Sequence, residues 1–358
     1  MGRQADGEAT GDHLLPERFL KNRFRLFLFF LFLAFFGGFP GCAGDDDGPS
    51  SGTDGDLDAE GIEGGETDGD GEGSGDNDVS YPWNDHSLGV MTFNVMCSFC
   101  SNDQGGNESW TDRLPHFGDI VTRHAPDLVG LQELTFASEV QQILDVAPGY
   151  QALYPRDLPE NIVGWTDYPD ATILYREERF TVEESGVFWL SDAPDEAWSG
   201  GWADTNLWRV VVWARFRQVS DGHAFYFAST HFDNNYPNQE HSAPLTLSWM
   251  EPWADEFPVI FVGDFNSRPD SIAYGILSTG VDGRGFHFLN AYDLAGNYGI
   301  ITNQTPEPTY DPESRIDHIW LAGTASWSAS DWVADLSVYG PDNQYPSDHF
   351  PVACRVEW

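Results

Sequence analysis

The sequence predicts an α/β domain, and three observations carry that prediction. Strand-forming runs are short and numerous, and the few helical stretches are interspersed among them rather than segregated. Once an apolar leader and a low-complexity segment are set aside, about 275 of the 358 residues remain, ample for one large core.

Residues 1–41 read as a signal segment. "KNRFR" (Lys21 to Arg25) supplies a basic region ahead of "LFLFFLFLAFF" (Leu26 to Phe36), an apolar run too short to span a bilayer comfortably as a helix. "GGFPGCAG" follows and resembles a bacterial lipobox with Cys42 as the lipidated first mature residue, although Phe39 and Pro40 stand where an aliphatic and a small residue are usual. Ordinary signal-peptidase cleavage and an uncleaved anchor are the competing readings. The expectation is an outer-membrane or cell-surface lipoprotein, or a secreted protein, touching a membrane through the lipid alone.

Residues 42–82 read as a disordered tether. From Asp45 to Asp78 the chain is dominated by Asp, Glu, Gly and Ser and has no Lys or Arg, so it buries too little apolar surface to fold and repels itself into an extended arm. "TDGDGEGSGDND" lacks the ligand spacing and terminal bidentate Glu of a calcium loop.

Residues 83–358 read as the functional domain. Beyond residue 80 it holds 40 acidic residues against 12 arginines, and the only lysine of the chain is Lys21. No global field draws polyanions to such a domain, though a local arginine cluster could. Besides Cys42 the cysteines are Cys97, Cys100 and Cys354. "CSFC" has no second pair or histidine cluster at zinc spacing, so in an exported protein a small Cys97–Cys100 disulfide is preferred to redox chemistry, with Cys354 as an alternative partner.

Five blocks carry polar residues at strand ends. "GVMTFNVMC" is a strand presenting Asn94. The helix-like "RLPHFGDIVTRH" leads into "PDLVGLQEL", a strand ending at Gln132 and Glu133. "FYFASTHFDNN" places His231 at another strand end. "VIFVGDFNSRPDS" reads as a strand buried on both faces that exits at Gly263, with Asp264 and Asn266 on one side of the chain by alternation. "SRIDHIWL" and "YPSDHFPVACRVEW" bring Asp317, Asp348 and His349 to strand ends in the same way. Asp and Asn are ordinary turn residues, and a lone Glu is ordinarily a surface residue. Six strand ends that all carry Asn, Glu, His or Asp are another matter, because clustered carboxylates repel unless a cation or proton relieves them. Carboxylate and amide oxygens without cysteine favour Mg²⁺ or Mn²⁺. A cation there would polarise a phosphoryl oxygen, and a carboxylate-oriented histidine would take a proton from water.

The ordered blocks "TFNV", "LQEL", "STHFDN", "GDFNSRP", "RIDHI" and "SDHFPV" together resemble the endonuclease/exonuclease/phosphatase superfamily over residues 89–355. Its members include pancreatic-type deoxyribonuclease, abasic-site endonucleases, bacterial sphingomyelinases and inositol polyphosphate phosphatases. The resemblance implies a four-layer sandwich of two mixed β-sheets face to face with helices outside, and a metal-dependent phosphoester hydrolase with Mg²⁺ or Mn²⁺ as cofactor. It implies that Asp264 orients water or a metal and Asn266 hydrogen-bonds the phosphate. Asn94, Glu133 and Asp348 would belong to the metal site. His349 paired with Asp317 would be the base, and His231 the acid or stabiliser. Residues 173–216 further resemble an exported bacterial subgroup and imply that Arg209 contacts phosphate; a His is expected there after "HFD", where this chain has Asn234. The substrate could be nucleic acid, a phospholipid headgroup or a small phosphoester, and a monomer is expected. An exposed aromatic loop would suit a headgroup substrate, and "EAWSGGWADTNLW" (Glu196 to Trp208) offers either that or a packed strap. A binding protein on a catalytically dead scaffold is the reading from another class, but no key residue is missing.

Overall fold

The computed structural model describes residues 87–100, 108–156, 168–202, 207–281, 283 and 285–358. The signal segment, the tether and Cys42 lie outside the described residues.

Strand β1 (Ser87–Asn94) opens the chain and leads to helix α1 (Trp110–His124), which starts three residues ahead of the helical run expected from the sequence. The side chain of Ser109 caps its first turn by accepting from the Asp112 N–H, Arg123 and His124 sit in its last turn, and Pro126 follows. Next come β2 (Leu128–Gln132), α2 (Ala137–Val146), β3 (Gln151–Leu153), β4 (Ala171–Tyr175), β5 (Phe180–Trp189), β6 (Val210–Gln218) and β7 (Ala224–His231). The second half holds α3 (Tyr236–Ala254), β8 (Val259–Asp264), α4 (Ile272–Thr279), β9 (Leu289–Asn290), α5 (Ala291–Ala295), β10 (Gly299–Ile301), β11 (Asp317–Ala322), β12 (Ser328–Asp335) and β13 (Val352–Glu357).

These strands form two mixed sheets. One has seven strands in the order β10-β12-β13-β1-β2-β4-β3, the other six in the order β5-β6-β7-β8-β11-β9. Alternation along each strand sorts its side chains between layers. Val90, Leu128, Ile173, Val212, Ile260, Val262 and Ile319 from both sheets share one core between them. Met91, Phe93, Val129 and Leu131 point the other way, onto Phe117, Ile120, Val140 and Ile143 of α1 and α2. Val259, Phe261 and Trp320 meet Ala243, Leu247 and Met250 of α3 and Ala273 and Leu277 of α4. The result is the expected four-layer sandwich. It also explains why β8 is unbroken apolar sequence from Val259 to Val262: every residue from Val259 to Asp264 is buried.

Two glycines allow close approach near the strand ends, Gly130 between the sheets and Gly263 between neighbouring strands of one sheet. A Cβ on Gly130 would lie 2.5 Å from Val262 Cγ2 on the opposite sheet, and one on Gly263 would lie 2.2 Å from the Thr230 carbonyl oxygen. The Trp-rich stretch is packed where it is described: Trp198 is buried against Tyr168, Trp189 and Trp208. Cys97 is bonded to Cys100, and Cys354 is a free, buried thiol.

His318, inside β11, is fully buried, with Nε2–H donating to the Ser267 carbonyl (2.8 Å). Burial lowers its pKa from 6.5 to about 3. Between those values the unfolded chain binds a proton that the folded chain refuses, so stability falls as pH drops from 6.5 towards 3. At about 1.4 kcal/mol per unit, the loss is of the order of several kcal/mol by pH 4. Urea unfolding between pH 7 and 4 measures it, and His318→Gln should flatten that dependence; an unaltered slope would assign acid lability to other groups.

Candidate active site

Register alone builds half of the site. β7 and β8 are parallel with His231 opposite Asp264, and β11 is antiparallel to β8 with Asp317 opposite Asp264. His231, Asp264 and Asp317 therefore form one row across three adjacent strands. On the facing sheet Asn94 of β1 is level with Gln132 of β2, and Glu133 is the next residue. His349 and Asp348 arrive from the loop that precedes β13.

Two histidine–aspartate pairs converge on Asp264. His349 donates through Nδ1 to Asp317 Oδ2 (2.9 Å), which leaves Nε2 at 3.6 Å from Asp264 Oδ2. His231 Nδ1 lies 3.1 Å from Asp170 Oδ1, and its Nε2 lies 3.4 Å from the same Asp264 oxygen. Arg209 Nη1 donates to Asp170 Oδ2 (3.0 Å) and lies 2.7 Å from His231 Nδ1. Asp264 accepts from the Asn94 side-chain amide (3.0 Å) at one oxygen and from the Asn266 backbone N–H (2.8 Å) at the other.

Glu133 is held by neutral donors: Asn94 Nδ2–H to Oε1 and the Cys97 N–H to Oε2, each at 2.9 Å. Asn94 therefore spends both amide hydrogens on carboxylates, Glu133 and Asp264, and its Oδ1 accepts from the Met96 N–H. Asp348 is exposed beside Ser347, whose hydroxyl binds the Asn94 carbonyl (2.7 Å) and ties this loop to β1.

Electrostatics follow from this packing. Burial alone would raise the pKa of Asp264, but His231 and His349 outweigh it and hold the carboxylate ionised. Burial likewise opposes ionisation of Asp170, and His231 and Arg209 overcome it. Burial disfavours the charged form of His349, yet Asp317, Asp264 and Asp348 together raise its pKa to about 10. Asp317 itself is shifted up by burial, with His349 acting against the shift.

All of the sequence-predicted residues within the described chain, Asn94, Glu133, Arg209, His231, Asp264, Asn266, Asp317, Asp348 and His349, lie on these neighbouring strand ends and loops. One detail differs from the sequence reading. The extended alternation stops at Asp264, and Asn266 is placed by a turn: its φ is 48°, and its side-chain amide donates to the Phe232 carbonyl (2.9 Å). Glu133 is also left-handed, at φ 70°. Such conformations cost roughly 1–3 kcal/mol each and persist where surrounding structure dictates them.

Two residues were not singled out from the sequence. Asp170, just before β4, looks like a turn aspartate in "YPDATILY", and only the fold brings it to His231. Arg113, fully buried in α1, donates to the carbonyls of Val95, Met96, Cys97, Glu108 and Pro346, which fixes both the end of β1 and the loop carrying Asp348. Its helical spacing in the sequence gave no sign of this.

A cavity of about 390 Å³ adjoins the site and is lined by Tyr310, Asp311, Arg315, Asp317, His349 and Phe350 among others. A larger one of about 500 Å³, near Leu153, Arg156 and Gly186, contains none of the site residues.

Fold and site together define a class: a double-sheet α/β sandwich whose polar site is gathered from strand ends of both sheets. Residues 91–349 match the Endonuclease/Exonuclease/phosphatase family, and the chain belongs to it. It is 27% identical over 335 residues to the CCR4-Not complex 3'-5'-exoribonuclease subunit Ccr4 of Saccharomyces cerevisiae, a match that covers 75% of this chain but only 38% of that protein. An endonuclease/exonuclease/phosphatase family protein from Bacteroides thetaiotaomicron is similar in structure, with 27% identity, a TM-score of 0.61 and coverage of 75% of this chain and 97% of that one. A mannosyl-6-phosphatase of Bacteroides thetaiotaomicron VPI-5482 has 26% identity, a TM-score of 0.62 and coverage of 76% and 100%.

Proposed function

We propose that this chain is a divalent-cation-dependent phosphoester hydrolase, exported and tethered outside the cytoplasm. The observation that carries the reading is the convergence of two aspartate-oriented histidine Nε2 atoms on one ionised aspartate. Acid–base work on two sides of a reacting centre needs that arrangement, and a structural core does not.

The donor set fits a hard cation. Glu133 is ionisable and held only by neutral N–H groups, and no arginine or histidine among the described residues pairs with it. One oxygen each of Asp264 and Asp317 and a nitrogen of His349 also lie within 4.8 Å of one another. There, however, His349 and the neighbouring His231 already compensate the carboxylates, so Glu133, with Asn94 and Asp348, is the better cation site. Mg²⁺ or Mn²⁺ there would supply charge stabilisation at the phosphoryl oxygens.

The chain's own groups would do the rest. Asp264 orients a water, and His349, whose Nδ1–H Asp317 holds, takes the water's proton on Nε2 as the new O–P bond forms, once the ring has lost the proton that Asp317, Asp264 and Asp348 keep on it in the cation-free chain. His231 supplies a proton to the oxygen that leaves. Asn266, with one amide hydrogen still uncommitted, and Arg209 hold the phosphate. Asp170 is a positioning residue for His231, as Asp317 is for His349.

Asp170→Asn should lower kcat by roughly 10- to 100-fold with little change in KM, and should shift the alkaline limb of the pH–rate profile, the one the proton donor sets. A drop in melting temperature is expected too, because Arg209 loses a buried partner. If only the melting temperature moves, Asp170 is structural.

The export proposal rests on "FPGCAG" and the acidic run behind it. The mature chain should begin at a lipidated Cys42, and Cys42→Ser should release it in soluble form. Mass spectrometry that finds an unmodified N-terminus elsewhere would replace tethering with simple secretion. The hydrolase reading is tested with Mg²⁺, Mn²⁺ and Ca²⁺ against plasmid DNA, RNA, sphingomyelin and bis-(p-nitrophenyl) phosphate; no cleavage of any of them, or of a phosphomonoester, would overturn it.

A further inference from the structure

The cavity beside Asp317 and His349 has the chemistry of a ligand site. Its volume of about 390 Å³ falls in the range of small-molecule pockets. Two aromatic rings form part of its wall: Tyr310 and Phe350, with centroids 6.3 Å apart. Two buried polar atoms on its lining residues have no hydrogen-bond partner among the described residues, the acceptor Oδ1 of Asp317 and the donor Nε of Arg315. Buried polar groups are ordinarily satisfied, so an orphaned donor and an orphaned acceptor on one cavity point to a ligand that offers both functions. The rest of Arg315 is held rigidly. Its Nη1 donates to the Pro312 carbonyl (2.7 Å), its Nη2 to the Tyr274 hydroxyl (3.2 Å), and its guanidinium lies 4.0 Å from the centroid of the Tyr292 ring.

Charge narrows the ligand further. Asp311, Asp317 and Asp348 line the cavity against Arg315 and His349. A second phosphate, or the backbone of a polynucleotide, would face three carboxylates there, an arrangement that discriminates by repulsion. An uncharged ring bearing hydroxyls would not, since each hydroxyl both donates and accepts. Thr309 and Ser314 add hydroxyls to the same lining, and the aromatic rings suit the apolar C–H face of such a ring.

We propose that this cavity receives the organic part of the phosphoester and that this part is an uncharged, hydroxylated ring, so that the substrate is a phosphorylated monosaccharide unit. This rests on the hydrolase reading above for the reaction, though not for the binding.

Saturation-transfer NMR on the full chain with mannose 6-phosphate and glucose 6-phosphate, without added metal, tests the binding directly. The ring C–H protons should receive saturation, Tyr310→Ala should reduce it several-fold, and Val219→Ala, on an exposed turn, should leave it intact. Absence of transfer to the ring protons would overturn the proposal. Because Tyr310 also packs on Trp332, a second variant is needed. Asp311→Asn keeps the side-chain oxygen that accepts from the Glu313 N–H (3.1 Å). It should change KM for the hexose phosphates by several-fold, whereas Val219→Ala should leave that KM unchanged. A single-stranded oligonucleotide that binds more tightly than either hexose phosphate and competes for the same cavity would assign it to nucleotides and refute the proposal. If neither the hexose phosphates nor any of the phosphoesters named above is cleaved with any cation, the hydrolase reading falls while the NMR result still decides the cavity.

Discussion

His349→Ala should abolish nearly all turnover, a loss of roughly 10²- to 10⁴-fold, while the protein stays folded. The side chain lies at the site mouth, 17% exposed, and packs no core. Asp317→Asn should cost roughly 10²- to 10⁴-fold, because an amide no longer offsets the imidazolium charge and its NH2 can bind the ring in the tautomer that protonates Nε2. The two residues act as one unit, so the double variant should be scarcely slower than His349→Ala alone. A pH profile adds a second check. Asp317, Asp264 and Asp348 hold His349 protonated up to about pH 10 in the absence of a cation. A group with its folded pKa raised contributes stability that is complete below the unfolded value near 6.5 and disappears as pH rises through 10. Metal-free protein should therefore lose stability between pH 7 and 10, and His349→Ala should remove that loss. Single-turnover rates and thermal unfolding of all three variants separate the outcomes: independent, additive effects on rate would refute the paired-base mechanism.

Glu133→Gln should cost roughly 100- to 1000-fold in cation-supported activity, the equivalent of several kcal/mol of charge stabilisation. The shape is preserved, and the Gln side chain can still accept from one of the two donors that Glu133 now uses, Asn94 Nδ2 or the Cys97 N–H. The folded state should therefore survive with a change of about 1 kcal/mol. Calorimetric titration with Mn²⁺ should show weaker binding in step with the lost rate. Unchanged cation affinity would move the metal to the Asp264, Asp317 and His349 group, where three ligand atoms lie within 4.8 Å.

Much of this molecule was legible in its sequence. Strand ends were marked by Asn94, Glu133, His231, Asp264 and Asp317 because a strand buried on both faces must be apolar until it leaves the sheet, so a polar residue there is conspicuous. The continuous apolar run from Val259 to Val262 gave a strand covered on both sides, and the four layers supply both covers. What the sequence alone determined was therefore which polar residues stand at the strand ends; the cation and chemistry they suit belong to the proposal above.

Which residue holds which was decided only by the tertiary structure. His231 meets Asp264 because β7 and β8 pair in parallel at that register, and Asp317 joins the row because β11 pairs antiparallel on the other side. Register is set by the packing of both sheet faces, which no single strand encodes. Asp170 sits 61 residues before its partner His231, and Arg113 reaches Pro346 across 233. The sequence fixes neither pairing, since a side chain's neighbours across space are a property of the layers. The left-handed turns at Glu133 and Asn266 were hidden for a related reason: neither is a glycine, and only the surrounding hydrogen bonds hold them where local preference would not.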